Sequence, residues 1–349
     1  MADEPDAPKS ISFAGGVGTH SVLSTLNGAH SIGEGFLGFL TMVESNALRS
    51  VCVEFREAVI DFPWMDAKSV IKGSVEAWRA AFPAARAVNV SEMNKDGKAD
   101  DFPVGRRKHI VDADFVHIRG DARAQLHTVN MTLCLTVTDA AFVHLRGIDT
   151  LSMWGCNQAT ITDAAFVHLT GIQSLSMTGC RQITDAAFKN LCGIQKLNMA
   201  FCDQATDAAF GHLRGIKSLN IFGCYQATIT DAAFVHLSGI QELYMSGCDQ
   251  ETITDAAFEH LQGIQVLYMS GCNQATITDE AIAQLVGIRT LNTGGLRRDV
   301  RVAAAKLIGV EYESEDDAEE DEDDEDGDED DENGDVGDED GDLRERQHY

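Results

Sequence analysis

The stretch Ile172-Gln-Ser-Leu175-Ser-Met177-Thr-Gly-Cys180, followed by Ile183-Thr-Asp185-Ala-Ala-Phe188, decides the fold because the chain repeats it with little change. Its cysteine recurs in register at intervals of 22 or 24 residues, at Cys134, Cys156, Cys180, Cys202, Cys224, Cys248 and Cys272. Repetition at this period is typical of a solenoid, in which stacked units together bury a face that one unit cannot bury alone.

Each unit has two halves with different apolar spacing. Leu175 and Met177 alternate with polar residues, which predicts a short strand buried on one side. Phe188 and Leu191 stand at helical spacing behind Thr184 and Asp185, either of which can cap a first turn. We therefore predict an α/β solenoid, a horseshoe with parallel strands on its concave face and short helices on its convex face.

This pattern resembles the leucine-rich repeat, in the variety that carries Cys where other classes carry Asn. The resemblance covers roughly residues 112 to 296. The aspartates that open its helical halves are Asp112, Asp139, Asp163, Asp185, Asp207, Asp231, Asp255 and Asp279. The first unit has a longer connection after Phe115 and the last has Leu296 in place of Cys, as capping units of an open solenoid require.

A second resemblance precedes the repeats. The run Leu48-Arg-Ser-Val51-Cys52-Val-Glu-Phe55-Arg56, closing on Trp64, is similar to the second half of an F-box, although the usual opening Leu-Pro pair is absent. F-box leucine-rich-repeat proteins are substrate receptors of cullin-type ubiquitin ligases. The resemblance implies that the linker subunit of the ligase docks on Leu37, Leu40, Leu48, Val51 and Phe55. Alternatively, the same residues form the core of a helical cap over the first repeat.

Between these regions, Val70 to Phe82 is predicted to form a helix stopped by Pro83, and Ala87 to Val90 a strand, together a degenerate first repeat. A polar insertion over 94–109 ends in a short basic cluster, which does not suffice to predict a nucleic-acid partner. The expected organisation is a disordered N-terminus over 1–30, an F-box-like helical segment over 31–66, a helix with the degenerate repeat and the insertion over 67–111, the repeat array over 112–312, and a disordered acidic tail over 313–349.

The charge of the chain is concentrated in that tail. Of 56 acidic residues, 22 lie between Glu313 and Asp342, where no Lys or Arg occurs, and the remaining 34 acids against 27 bases leave a net charge of −7 elsewhere. Such a polyanion has little to bury and repels itself. A solenoid with an acidic tail also looks like the acidic nuclear leucine-rich proteins, which implies binding of histones or other basic partners through the tail. The plainer alternative is that the tail only confers solubility.

Compartment and chemistry follow from what the sequence lacks. No segment approaches the length of a membrane span, and the N-terminus does not have the basic and apolar regions of a signal peptide. We therefore expect a cytoplasmic or nuclear protein with reduced thiols and no membrane partner. No phosphate-binding loop, nucleophile elbow or His-Glu-x-x-His motif occurs. The prediction is a non-enzymatic protein without cofactor, metal or nucleic-acid partner, monomeric outside its complex.

The recurring Cys, His and Asp are predicted to be structural. Zinc ligands converge to about 2.3 Å from one ion, whereas in-register cysteines on parallel strands lie about 4.8 Å apart. A buried Cys instead fills a tight bend and supplies a weak donor. The recurring Asp is interpreted as a helix cap. Half-buried or exposed helix positions are predicted for His117, His144, His168, His212, His236 and His260.

Recognition is predicted where the copies differ. Side chains that flank the Leu-x-Met core point outward from the strands and change from unit to unit. Because aromatic residues dominate interface energetics, a protein target on the concave face is expected to contact Trp154, Lys196, Asn198, Asn220, Phe222, Tyr244 and Tyr268. The near identity of 159–172 and 227–240 leaves a further alternative, a recently amplified scaffold without a fixed partner.

Overall fold

The protein is described by a computed structural model. It describes residues 42, 45–46, 60–71, 73–92, 109–119 and 125–309. The chain divides into two units, 1–311 and 312–349, and all described residues belong to the first. The predicted polar insertion, apart from its last residue, and the acidic tail lie outside the described residues.

A nine-stranded parallel sheet runs through the described part of the chain in sequence order. Its strands are Ala87–Asn89 (β1), Thr128–Asn130 (β2), Thr150–Ser152 (β3), Ser174–Ser176 (β4), Lys196–Asn198 (β5), Ser218–Asn220 (β6), Glu242–Tyr244 (β7), Val266–Tyr268 (β8) and Thr290–Asn292 (β9). Equivalent residues of neighbouring strands are register partners, as Leu175 of β4 is of Leu197 of β5. The predicted leucine-rich-repeat solenoid is thereby confirmed.

Short helices return the chain between strands. The α-helices are Val75–Ala81 (α1), Asp112–Ile118 (α2), Asp139–Phe142 (α3), Asp185–Phe188 (α4), Asp207–Phe210 (α5), Asp231–Phe234 (α6), Asp255–Phe258 (α7), Asp279–Ala283 (α8) and Arg298–Ile308 (α9). The 3₁₀ helices are Val143–Leu145, Asp163–Leu169, Val235–Leu237 and Glu259–Leu261. The predicted helix from Val70 begins later, at Val75, because Ser74 caps it and Val70 instead bridges to Asn89 of β1.

One continuous core lies between the sheet and the helices. Most repeats contribute a Leu and a Met from the strand side and a Phe from the helix. Among these, Phe166, Phe188, Phe210 and Phe234 are fully buried. Burial of one such side chain contributes about 1.5–3 kcal/mol. Because each Phe packs at the same place in its repeat, the core continues along the array without a break.

The cysteine ladder is structural, as predicted. All seven in-register cysteines are buried, and each Sγ donates to a backbone carbonyl of the preceding repeat, as in Cys202 to Met177 O at 3.3 Å and Cys272 to Met245 O at 3.0 Å. Burial raises the pKa of Cys224 to about 11 and that of Cys156 and Cys272 to about 12. These thiols therefore remain protonated donors at neutral pH.

The recurring aspartate corrects the sequence interpretation. The helix cap is the preceding threonine; Thr230, for example, accepts a hydrogen bond from the Ala232 amide. The aspartate reaches along the array instead: Asp231 accepts from the Thr254 amide at 2.7 Å and from the Thr254 hydroxyl at 2.7 Å. The same pair of bonds links Asp112, Asp139, Asp163, Asp185, Asp207 and Asp255 to the threonine of the next repeat.

A glutamine ladder binds the backbone of the bend. Gln250 and Gln274 are buried, and their Nε2 atoms donate at 3.2 Å to the carbonyls of Cys224 and Cys248 in the preceding repeat. Gln158, Gln182 and Gln226 do the same. These bonds supply donors to carbonyls of the buried bend.

Both ends of the array are covered. At the start, the buried Arg79 guanidinium donates to the backbone carbonyls of Ala85, Phe82 and Ile118, and Trp64 is buried against Phe82. At the end, α9 packs Val300 and Ala304 into the core, while Leu296 is buried at the position of the ladder cysteine. Among the described residues, the helices are all too short or too polar to cross a bilayer.

We expect Asp231→Ala to destabilise the protein more than Asp279→Ala does. Both aspartates stand at the first position of a helix, but only Asp231 is followed by another capping threonine in the next repeat, Thr254. Loss of the two bonds to Thr254 should lower the free energy of unfolding by about 1–3 kcal/mol, measured by urea denaturation. Equal losses in the two variants would contradict this role.

Thiol labelling of the native protein should separate the cysteines by burial. Cys192 is exposed on the helix side, whereas the seven ladder cysteines are buried and protonated. We expect a thiol reagent at pH 8 to modify Cys192 rapidly and the ladder only after denaturation, as read by peptide mass spectrometry. Rapid modification of ladder cysteines in the folded protein would show that the ladder is open to solvent.

Candidate concave recognition surface

The outward side chains of the strands form a shallow depression with a floor of small hydroxyl groups. Its volume is about 280 Å³. The polar residues that line it are Thr150, Ser152, Ser174, Ser176, Lys196, Asn198, Ser218 and Asn220, and Tyr244 closes one side. Small side chains allow the backbone of a partner to approach the sheet closely.

The predicted aromatic residues occupy two places on this surface. Trp154 follows β3 and is 38% exposed, and Phe222 follows β6 and is 43% exposed. Tyr244 and Tyr268 are register partners on β7 and β8, and their rings stack with centroids 5.1 Å apart. Phe222 is the diagonal neighbour of Tyr244, whereas Trp154 lies three strands away from Phe222.

The predicted polar residues divide into bound and free side chains. The carboxamide oxygens of Asn198 and Asn220 accept hydrogen bonds from the amides of Ala200 at 3.1 Å and Phe222 at 2.8 Å. These two asparagines therefore fix the ends of their own strands. Lys196, by contrast, is exposed at the start of β5.

An acid adjoins the tyrosine pair. Glu242 begins β7 and accepts a hydrogen bond from the Ser218 hydroxyl at 2.8 Å. The pKa of Tyr244 is raised above its usual value by desolvation, by Glu242 and by Tyr268. Glu242 is thus held within electrostatic range of the half-buried phenol.

Sequence reasoning missed Phe201. Its side chain is 39% exposed and packs edge-on against Phe222, with ring centroids 5.2 Å apart. Its φ of +58° is left-handed, at a position where most other repeats have a glycine, such as Gly179. This conformation costs a non-glycine residue about 1–2 kcal/mol. The available signal was a Phe where the repeated phrase has Gly.

Leu133, which follows β2, repeats this arrangement. Its φ is +59°, and Phe201 and Leu133 are the non-glycine residues with positive φ in the described part of the chain. Each side chain occupies space next to a glycine of the following repeat: Gly155 for Leu133 and Gly223 for Phe201. An exposed aromatic precedes each of those glycines, Trp154 and Phe222 respectively. We call Phe201, Phe222, Tyr244 and Tyr268 the aromatic patch.

The opposite side of the array carries the recurring histidines, which are half-buried as predicted. Two of them accept hydrogen bonds from arginines of the preceding repeat, His168 from Arg146 at 3.0 Å and His236 from Arg214 at 3.3 Å. Desolvation and the Arg146 charge lower the pKa of His168. These contacts make the histidines part of the repeat-to-repeat packing.

The close approach of the Phe201 ring to Gly223 can be tested by adding a Cβ atom at residue 223. Gly179 and Gly223 have similar positive φ, but an added Cβ meets open space at Gly179 and the Phe201 ring at 2.5 Å at Gly223. We expect Gly223→Ala to lower the free energy of unfolding by about 1–3 kcal/mol more than Gly179→Ala in urea denaturation. Adding Phe201→Gly should remove this excess. An excess that persists in the double variant would show that the ring is not its source.

The solved structures similar to this chain are distant in sequence. A chain of the TLR13–ssRNA13 complex is 16% identical with a TM-score of 0.45, over 67% of this chain and 41% of that chain. A chain of the yeast Rad7–Elc1 complex is 12% identical with a TM-score of 0.37, over 82% and 96%. A chain of the mouse RP105/MD-1 complex is 17% identical with a TM-score of 0.42, over 62% and 43%. This chain therefore spans less than half of the TLR13 and RP105/MD-1 chains. No protein-family model matches the sequence, and no curated protein is significantly similar to it.

Proposed function

We propose that this protein is a non-enzymatic interaction module that holds a protein target on its concave face. We further propose that its F-box-like segment makes it a substrate-recognition adaptor of a cullin-type ubiquitin ligase. The first proposal is supported by where the repeats differ, and the second by the resemblance around Val51 and Phe55.

One comparison within the chain carries the binding proposal. Residues 159–172 and 227–240 differ at one position, Thr170 against Ser238. The strand segments that follow, 173–180 and 241–248, differ at three positions. These are Ser174 against Glu242, Ser176 against Tyr244, and Thr178 against Ser246. All three point outward from the sheet, while the buried Leu, Met and Cys are identical.

This distribution of differences favours recognition on the strand face. The buried Leu, Met and Cys and the helix-side residues are the same in both copies apart from Thr170 and Ser238, so the differences are concentrated on the outward face of the strand. They replace two small hydroxyl side chains by a carboxylate and an aromatic ring, the kinds of group that change which partner a surface binds.

The adaptor proposal rests on the N-terminal resemblance. The expected docking residues Leu37, Leu40, Leu48, Val51 and Phe55 lie outside the described residues. Trp64, which closes the F-box-like run, is buried, and its carbonyl accepts hydrogen bonds from the amides of Arg86 and Ala87 at the start of β1. This contact joins the end of the run to the first repeat and is compatible with either a docking segment or a cap.

The acidic tail supports a second candidate function. Its 22 acidic residues without a base would attract histones or other basic proteins over long range, and salt would weaken that attraction. In this case the tail, and not the concave face, would be the main ligand of the partner.

A strand exchange tests the concave-face proposal without introducing foreign residues. The triple variant Glu242→Ser/Tyr244→Ser/Ser246→Thr gives β7 the outward side chains of β4. A matched convex control, Val235→Lys/His236→Asn, uses the residues found at Lys189 and Asn190. We expect quantitative affinity capture with the full-length protein to lose its specific partner with the strand variant and to keep it with the control. Retention by the strand variant would reject the concave face as the binding surface.

The same capture distinguishes the other two proposals. Recovery of a cullin-ligase linker that is lost with Val51→Glu/Phe55→Glu, while the melting temperature is unchanged, supports the adaptor. Absence of the linker from captures that contain the specific partner contradicts it. Loss of the partner on deletion of 313–342, with the strand variant still binding, favours the tail.

A further inference from the structure

The aromatic patch has the chemistry of a cation-binding surface. The stacked Tyr244 and Tyr268 rings lie on β7 and β8, and the edge-on pair of Phe201 and Phe222 follows β5 and β6, with Phe222 two residues beyond the register partner of Tyr244. Aromatic faces attract arginine and lysine side chains through the ring quadrupole. Beside the rings, the residues have small side chains or none, which leaves space for a bound side chain. These residues are Ser246, Gly247, Ser270 and Gly271.

The three segments that contain Phe222, Tyr244 and Tyr268 hold acidic residues and no basic ones. From β6 to β8, the strands and the loops that follow them (218–230, 242–254 and 266–278) contain Glu242, Asp249 and Glu251 and no lysine or arginine. Basic residues border this region on both sides, with Lys196 and Lys217 toward β5 and β6 and Arg289 immediately before β9. Lys217 precedes β6 and its Nζ donates to the Gly239 carbonyl at 3.4 Å, and Lys196 begins β5.

Glu242 is the acid closest to the rings. The Ser218 hydroxyl holds its carboxylate at the start of β7, two residues before Tyr244 on the same face of the sheet. A cation laid against the tyrosines would therefore meet a fixed carboxylate. This pairing of a ring with an acid selects for a positive group over a neutral apolar one.

The backbone strain at Phe201 points to the same surface. A glycine would close this bend without cost, as it does at Gly179, Gly223 and Gly247. The phenylalanine instead adds an exposed ring to Phe222 at the expense of a left-handed backbone. Backbone strain of this kind is common at functional positions.

We infer that the aromatic patch and Glu242 form a recognition site for a basic segment of the partner protein, with an arginine or lysine side chain held against the Tyr244–Tyr268 pair. This inference rests on the proposed function, because it identifies the partner class of the concave face. The acidic tail would add a long-range attraction for the same basic segment, whereas the patch gives the contact that is specific.

Fluorescence anisotropy with the full-length protein tests this assignment. The probes are two labelled 12-residue peptides, four repeats of Arg-Gly-Leu and the same peptide with citrulline, a neutral arginine isostere. Measurements at about 0.3 M salt screen the attraction of the tail, because the Debye length is then well below 10 Å. We expect the arginine peptide to bind at least ten-fold more tightly than the citrulline peptide.

The variants locate the site on the surface. Tyr244→Ser/Tyr268→Ser uses the residue found at the equivalent Ser176 and should weaken binding of the arginine peptide at least ten-fold. Glu242→Gln should reduce the preference for the arginine peptide over the citrulline peptide. Phe201→Gly should also weaken binding of the arginine peptide. Its melting temperature should fall no further than that of the Tyr244→Ser/Tyr268→Ser variant. The convex control Val235→Lys/His236→Asn should bind as the unmodified protein does.

Three results would overturn the inference. Equal binding of the two peptides would show that charge is not recognised, and unchanged binding by Tyr244→Ser/Tyr268→Ser would place the basic peptide on another part of the chain. No binding of the arginine peptide, while the strand exchange still abolishes capture of the partner, would leave the concave-face function in place and reject a basic segment as its ligand.

Discussion

The structure depends on one constraint: the hydrogen-bonding groups of each repeat find their partners on the neighbouring repeat. A three-residue strand has no partner of its own, so its backbone pairs with the strands before and after it. The side chains follow the same rule, since the cysteine and glutamine bond to the preceding repeat and the aspartate to the next one. A repeat that lost its register would lose all these bonds together, and for this reason the frame residues are so uniform.

Most of the frame could be predicted from the sequence because it is periodic. The alternation of Leu175 and Met177, the helical spacing of Phe188 and Leu191, and the burial of the in-register cysteines follow from period and polarity. The role of the aspartate was only partly predictable. Local capping rules compare residues a few positions apart, whereas Asp231 bonds to Thr254, 23 residues further along the chain. That partner becomes evident only once the repeats are stacked.

The residues of the candidate site differ in how far the sequence could predict them. Tyr244 and Tyr268 could be placed on one face, since strands alternate and equivalent residues pair, and the structure adds that their rings stack. Phe201 departs from the Gly of the repeated phrase in the sequence, but the left-handed φ that makes this departure significant appears only in three dimensions. Asn198 and Asn220 show the converse: variable, outward residues whose carboxamide oxygens bond to their own strand ends.

The aromatic residues next to the two left-handed positions, Trp154 and Phe222, are separated by a whole number of strand spacings. Trp154 and Phe222 follow β3 and β6, so three strand intervals of about 4.8 Å, or roughly 14 Å, separate them across the sheet. The strand pairing between neighbouring repeats recurs along the array, so inserting or deleting one copy of the repeat between them would change that separation by one interval. Unequal exchange between near-identical copies would therefore change the spacing of these two exposed aromatic side chains in fixed steps.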